Sequence, residues 1–494
     1  MIPVSAELAP EKITPGDRKL VILLPVDTPS PDLCKVISSA VALGYPAPIL
    51  VNWKNNFRTD EEGVGPSHLG KITGTLDYLN WALDENVSGT EGLGADDLVL
   101  MMDAHDVWLQ LSPEILLNRY FRVTQNADTR EGIMKSQDMR HTIVVSAQKG
   151  CFGPRDKISD LHCGSLPEST LPSNVYGFMT DSTLFNWNSV RPRFVNSGSF
   201  MGPAGDMRRF FERVRSRMEK DLAMLTKDQH LGGDQGLFSE IFAEQEIWRQ
   251  KVRDESARRS GKVTDKTVAQ HDEYEYHVGL DYRQELFYPT CYSEKDGFFV
   301  QLNDSKRIEK ESRRLGVSPP RIHGLPSDME EVEEPFKDIT DDAEELVGWG
   351  GLPLYADFWT AYVPAAVHHN AWKDGLKKRR TTWWDKMWYF PRLRELLDAH
   401  SAPNPDEPLA RLQAGRDEDQ GELRIWPSDL NRNQRLPLLL QKESRAGSDW
   451  SLREAAWDAV CRYEDEGEEN NAGAEQRRWY DEVFRDGKGP YGNI

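Results

Sequence analysis

The 494-residue sequence contains no apolar run approaching the roughly 18 to 20 residues that a membrane-spanning helix needs. Its opening residues also lack the charged, apolar and small-residue succession of a signal peptide. The expectation is therefore either a cytosolic protein or one whose leader or anchor has been removed. Positive charge is in short supply, with 61 Lys plus Arg against 81 Asp plus Glu, a formal net charge of -20. Nucleic acids and anionic lipids are held by clustered basic side chains, so this balance excludes them as partners. The one dense basic run, Lys377 to Arg380, reads as a solvated helix end. Cysteine is scarce as well. Cys34, Cys151, Cys163, Cys291 and Cys461 are too few and too scattered for a disulfide scaffold, and no CxxC pair suggests zinc. Cys151 and Cys163 are near enough to bridge one loop, and an unpaired buried thiol is the alternative for either. There is no internal repeat.

What is present is an alternation of strand and helix signals in the manner of a doubly wound sheet. Lys19 to Pro25 (KLVILLP), Ala47 to Trp53 (APILVNW), Asp97 to Met102 (DLVLMM) and His141 to Ala147 (HTIVVSA) are short apolar runs, as in strands buried on both faces. Between them, Asp32 to Leu43 and His68 to Leu83 predict helices, the second from its stripe of Leu69, Ile72, Leu76, Leu79 and Leu83. Ser112-Pro113-Glu114 opens a third helix with a cap, a proline at its first position and an acid in its first turn. Arg193 to Met201 predicts a further strand, and Asp206 to Lys220 and Asp234 to Arg249 predict further helices. Lys251 to Asp272 reads as charged and solvated. Residues 305–350 read as an insertion or mobile loop, and 391–494 as a partly helical C-terminal appendage to a catalytic domain spanning 1–390. On that division, a chain cut after about Leu397 should still fold.

The chemistry centres on Asp103-Ala-His-Asp106, directly after the apolar strand Leu98 to Met102. Two carboxylates at a strand's end lie at the carboxyl edge of the sheet, where open α/β sheets bind ligands. Hard oxygen ligands there suit Mn²⁺ or Mg²⁺, which in turn bridges diphosphate oxygens. Strict alternation would put the two aspartates on opposite faces, so they converge only if the chain turns. That turn should swing His105 aside.

Further segments follow in order: Ser146-Ala147 and Cys151, Phe194 to Gly202 (FVNSGSFMG), Gly233-Asp234-Gln235, and Val367-His368-His369-Asn370. With the D-x-x-D, this series resembles the glycosyltransferase domain of procollagen lysyl hydroxylases and collagen glycosyltransferases. The resemblance spans roughly Leu20 to Lys377. It implies a GT-A (Rossmann-like) single mixed sheet with flanking helices, and transfer of a hexose from a UDP-sugar, with retention, to a glycan or glycoprotein. UDP-glucose and UDP-galactose are the favoured donors. By position it makes Asp103, Asp106 and His368 the metal ligands. Asn196, Asp234 and Gln235 become catalytic. Thr28, Trp53, Lys71, Ser197, Gly198 and Asn370 join Asp103 around the nucleotide-sugar. The family's late lysine has no exact counterpart, leaving Lys373 or Lys377. Cys151-Phe152-Gly153 replaces the family's Cys-Trp-Pro, Gly232 and Gly233 replace acids, and His369 replaces a glycine. No hydroxylase iron motif follows. The resemblance also implies a secretory lumen, with which the sequons at Asn86 and Asn303 are compatible. Two other readings remain: a non-catalytic sugar- or partner-binding protein on the same fold, and a glycoside hydrolase, which needs two acids about 5 to 10 Å apart flanking a bond.

Overall fold

The computed structural model describes residues 14–54, 67–87, 89–130, 139–151, 162–182, 187–224, 233–259, 264–340, 342, 346–370, 378–402, 404–413, 421–431, 435–442, 450–463 and 477–492. Its strands, in chain order, are β1 (Gly16–Pro25), β2 (Ile49–Val51), β3 (Leu98–Met102), β4 (Val107–Leu109), β5 (Ile143–Gln148), β6 (Phe194–Pro203), β7 (Val278–Asp281) and β8 (Phe287–Pro289). They continue as β9 (Gly297–Gln301), β10 (Pro353–Asp357), β11 (Ala366–His368), β12 (Ala410–Gln413), β13 (Glu422–Pro427), β14 (Leu438–Lys442) and β15 (Trp450–Glu454). The principal helices are α1 (Pro31–Ala42), α2 (Gly70–Ala82), α3 (Pro113–Arg130), α4 (Ala204–Met224) and α5 (Asp234–Arg258).

The main sheet is mixed, with the order β15-β14-β2-β1-β3-β6-β5-β7 and with β13 and β12 continuing from β1. Its strands alternate between two cores, as side chains of successive strand residues must. Leu20, Ile22 and Leu24 of β1, with Leu98, Leu100 and Met102 of β3, join Leu33, Ile37 and Val41 of α1 and Ile115 of α3. Val21, Leu23, Val99 and Met101 point the other way, onto Ile72 and Leu76 of α2, Phe210 of α4 and Phe238 of α5. The apolar runs read as doubly buried strands are therefore the middle layer of a three-layer α/β/α arrangement.

The C-terminal hundred residues do not form an appendage. β13 pairs in parallel with the first half of β1, from Gly16↔Leu423 to Leu20↔Pro427, and β14 pairs in parallel with β2. A disulfide joins Cys34 of α1 to Cys461, and Trp457, Val460, Trp479 and Val483 lie in the same core as α1. The polar linker-like pieces between these strands hid their short apolar centres. Cys151 and Cys163 are also bonded to each other, while Cys291 is buried outside both disulfides, so the sparse cysteines do cross-link this fold.

Segment 305–350 is likewise more structured than a loop. Helix Ser305–Leu315 is capped by the Asp304 side chain at its start and by Gly316, with φ +79°, at its end. Farther along, Asp328 binds Arg119 and Arg122 of α3. Charge in this stretch is spent on specific ion pairs. Lys251 to Asp272 is largely exposed or half-buried at its described positions, as its charge suggests, although α5 runs on to Arg258 with Val252 buried. No helix among the described residues is long and apolar enough to cross a membrane.

Candidate metal centre

Strands β1, β2 and β3 are mutually parallel, so their carboxyl ends share one edge. Leu23 is in register with Met101, which brings Asp103 out of the sheet level with Pro25. Residues 104–106 then turn, and Asp106 leads into β4. β4 pairs with β11, placing His368 opposite Val107, and the His369 N–H donates to the Asp106 carbonyl at 2.7 Å. A ladder of backbone hydrogen bonds thus carries the imidazole of His368 to the two aspartates. Its Nε2 lies 3.3 Å from Asp106 Oδ1 and 3.6 Å from Asp103 Oδ2. Ligand atoms of all three residues fall within 4.8 Å of one another. His105 is turned out of this cluster, its Nδ1 3.1 Å from Ser30 Oγ.

Asn196 fixes the chemistry of that imidazole. Between Val145↔Phe200 and Ala147↔Val195 the β5–β6 register slips, so β6 spends the extra residues Asn196 to Ser199 opposite Ser146. Gly198 N–H donates to Asn196 Oδ1 at 3.1 Å, which identifies that atom as the amide oxygen, and Asn196 Nδ2 donates to Gln148 Oε1 at 2.9 Å. His368 Nδ1 lies 3.0 Å from the same Asn196 oxygen. Only an Nδ1–H can hydrogen-bond there, so the neutral ring presents a bare Nε2 to the carboxylates, the tautomer a metal ligand needs. The Asn-Ser-Gly motif is therefore more than a strand bend. Gln148, the polar end of an apolar strand, is the partner that sequence reasoning passed over.

Burial alone would push Asp106 up, but the adjacent His368 charge outweighs it and holds the carboxyl well below the usual range. Burial would pull His368 down, and Asp106 and then Asp103 raise it instead. With no ion between them, the imidazole proton neutralises the pair. A divalent cation held by these three residues would take that proton's place.

Lys71 lies beneath this cluster. Its Nζ is 2.6 Å from Asp103 Oδ1, 2.8 Å from Asp234 Oδ2 and 2.9 Å from the Ser197 carbonyl. Burial would lower its pKa, and the two carboxylates more than reverse this, so it stays charged. Asp234, the first residue of α5, would be raised by burial and is brought down by Lys71, with the Ser197 hydroxyl assisting. Asp103 therefore has one oxygen tied to Lys71 and the other free toward His368. Lys71, expected to approach the nucleotide, is a buried lysine that orients the two carboxylates.

The remaining expected residues are distributed around this centre. Gln235 Oε1 accepts the Ser197 N–H at 3.4 Å. Asn370 is occupied in clamping the loop: its carbonyl accepts the Thr290 hydroxyl at 2.8 Å and its Oδ1 accepts the Cys291 N–H at 3.0 Å. Thr28 and Trp53 follow the ends of β1 and β2 on the same sheet edge; Thr28 Oγ1 bonds Asp27 at 3.4 Å, and Trp53 packs on the α1-side core. Lys373 and Lys377 lie outside the described residues.

Gly198 tests the arrangement sharply, because a Cβ there would fall on the His368 ring and come within 2.9 Å of Asn196 Oδ1. Gly198→Ala must displace the imidazole. It should weaken Mn²⁺ binding about 10- to 100-fold, the usual cost of disturbing a ligand's supporting contacts, while circular dichroism stays native. Unchanged Mn²⁺ affinity in a calorimetric titration would show that His368 is not held as described.

Comparison with protein-family models and with curated proteins returns no match.

Proposed function

We propose that this protein is a metal-dependent glycosyltransferase of the GT-A type, moving a hexose from a UDP-sugar to a glycan or glycoprotein acceptor. The observation that carries the reading is the convergence of Asp103, Asp106 and a tautomer-fixed His368 at the carboxyl edge of a parallel strand set. Two carboxylate oxygens and one imidazole nitrogen fit Mn²⁺ better than Mg²⁺, and they leave coordination positions for diphosphate oxygens. A bound Mn²⁺ would neutralise the charge developing on the departing nucleoside diphosphate.

This chain's own residues supply position. Lys71 aims the free oxygen of Asp103, and Asn196 holds His368. Asp234, kept ionised against Lys71, can accept a hydrogen bond from a sugar hydroxyl but is a weak base. That supports retention, in which the leaving phosphate assists the incoming hydroxyl, over inversion by a carboxylate base. The electrostatics also disfavour a glycoside hydrolase, whose general acid needs a raised pKa, whereas Asp106 is depressed. The two disulfides are compatible with the oxidising lumen of the secretory pathway.

The adjacent histidines separate ligand from packing. His369 is buried with its ring 3.9 Å from that of Trp108 and edge-on to Trp383. Burial drives its pKa well below the ordinary value, and among the described residues neither ring nitrogen has a hydrogen-bond partner. His368→Ala should raise the Mn²⁺ needed for UDP binding by at least about 10-fold, and His369→Phe, which keeps a ring against Trp108, should leave it near wild type. Equal requirements in the two variants would remove His368 from the ligand set.

A further inference from the structure

Far from the metal centre, a cleft of about 650 Å³ opens beside the C-terminal end of α1, where Ala42, Leu43 and Gly44 meet the start of α3 and the segments carrying Asp338, His400 and Arg435. α1 is capped at its start by Ser30, which touches His105 near the candidate metal centre, and runs 12 residues from Pro31. At 1.5 Å per residue that places the cleft about 18 Å away along the helix, toward the opposite edge of the sheet.

Its most unusual component is Arg435. The residue is 6% exposed, yet among the described residues its guanidinium makes one hydrogen bond, from Nη1 to the Gly44 carbonyl. Among the described residues its Nε is buried without a partner, and no carboxylate forms an ion pair with it. The nearby Asp338 is itself engaged, 2.9 Å from His400 Nε2. Burial, only partly offset by the Asp338 charge, pushes the Arg435 pKa down to about 10. A buried cation with idle donors needs an acceptor from outside.

An anion is not what the surroundings favour. Glu114, Glu331, Glu334 and Glu407 line the same cleft. The basic Lys337 and Arg411 are already paired with Glu333 and Glu422. Glu114 is raised first by burial and then by the charge of Glu333, so the field at the mouth is already negative. A phosphate or carboxylate would have to cross it. Sugar hydroxyls meet both demands: they accept from Arg435 and donate to the surrounding carboxylates. The carbon edges of Trp349 and Trp388, whose indole N–H groups are spent on the Glu333 and Gln110 carbonyls at 3.0 and 2.8 Å, complete an amphipathic wall.

We infer that this cleft is a second binding site, for a neutral oligosaccharide, anchored by the guanidinium of Arg435. It stands independently of the transferase reading, because none of its residues belongs to the metal centre.

The full-length protein can be titrated with maltose, cellobiose and lactose as neutral probes, and with inorganic phosphate and sulfate as anions, using ligand-observed NMR and the fluorescence of Trp349 and Trp388. At least one disaccharide should bind saturably, more tightly than either anion, and with saturating UDP and Mn²⁺ present. Arg435→Gln should weaken it at least 10-fold. Val332→Trp, which adds bulk to the cleft wall while leaving Arg435 itself unchanged, should do the same and decides the matter if the first variant does not fold. Tighter binding of phosphate or sulfate, competition by UDP and Mn²⁺, indifference to Val332→Trp, or no binding by any disaccharide would each overturn the assignment.

Discussion

A chain ending at Leu397 will not fold. It loses β13, the parallel neighbour of β1 over five paired residues, and β14, the neighbour of β2. It also loses the Cys34–Cys461 bridge and the buried Leu412, Leu423, Ile425, Trp457, Val460, Trp479, Val483 and Phe484, and it strips the outer face of α1. Each such side chain contributes about 1.5 to 3 kcal/mol of transfer free energy. Over these eight residues that is about 12 to 24 kcal/mol of gross burial, as large as the roughly 5 to 15 kcal/mol by which native domains are stable, and the partners left behind in the α1-side core would be exposed. Expression of residues 1–397 should give insoluble or molten protein with no cooperative melting transition. A soluble fragment that melts cooperatively and binds UDP would restore the appendage view that the sequence suggests.

The contrast between the two halves of the chain has a physical cause. Strands β1 and β3 are buried on both faces, so their runs of consecutive apolar residues stand out without any structure. Strands β12 and β13 alternate buried with half-buried or exposed positions and sit between polar segments, so they carry no comparable run. The candidate metal centre was legible because the carboxylate pair, weak alone, is followed in order by the Asn196-Ser197-Gly198, Asp234-Gln235 and His368 segments, and because convergence of Asp103 and Asp106 requires a turn between them. Its supports were not. That Lys71 is buried against Asp103 and Asp234 depends on α2, β3 and α5 meeting in space. Gln148 reaches Asn196 only through the register slip between β5 and β6. Pairings of that kind leave no local mark. Nor could the sequence distinguish His368 from His369, except by resemblance. The structure separates them by what each ring touches: carboxylates for the first, indoles for the second.

Asp106→Asn should cause the largest loss of function of any conservative change. The substitution keeps the shape but removes a charge that faces His368 Nε2 at 3.3 Å. Loss of a ligand should cost more than the 10- to 100-fold typical of a ligand's supporting contacts, so apparent Mn²⁺ affinity should fall by at least about 100-fold, with turnover falling alongside it. The fold should survive, since Asp106 is half-buried at the sheet edge and belongs to neither core. Native circular dichroism and a melting temperature within a few degrees of wild type would establish that. Asp103→Asn should lose comparable metal affinity and also some stability, because Lys71 would keep only Asp234 as a charged partner. If Asp106→Asn retained wild-type Mn²⁺ affinity, the ion, if any, would have to be held elsewhere.

The most direct measurement is a thermal-shift and turnover panel of nucleotide sugars on the purified full chain, with Mn²⁺ and with excess EDTA. Specific binding raises apparent stability by mass action, by about 2.7 kcal/mol at a ligand concentration 100 times the Kd. Stabilisation by UDP-glucose or UDP-galactose and release of UDP are expected, both present with Mn²⁺ and abolished by EDTA and by Asp106→Asn. Full activity in EDTA, or no response to any nucleotide sugar in the presence of Mn²⁺, would contradict the proposed function.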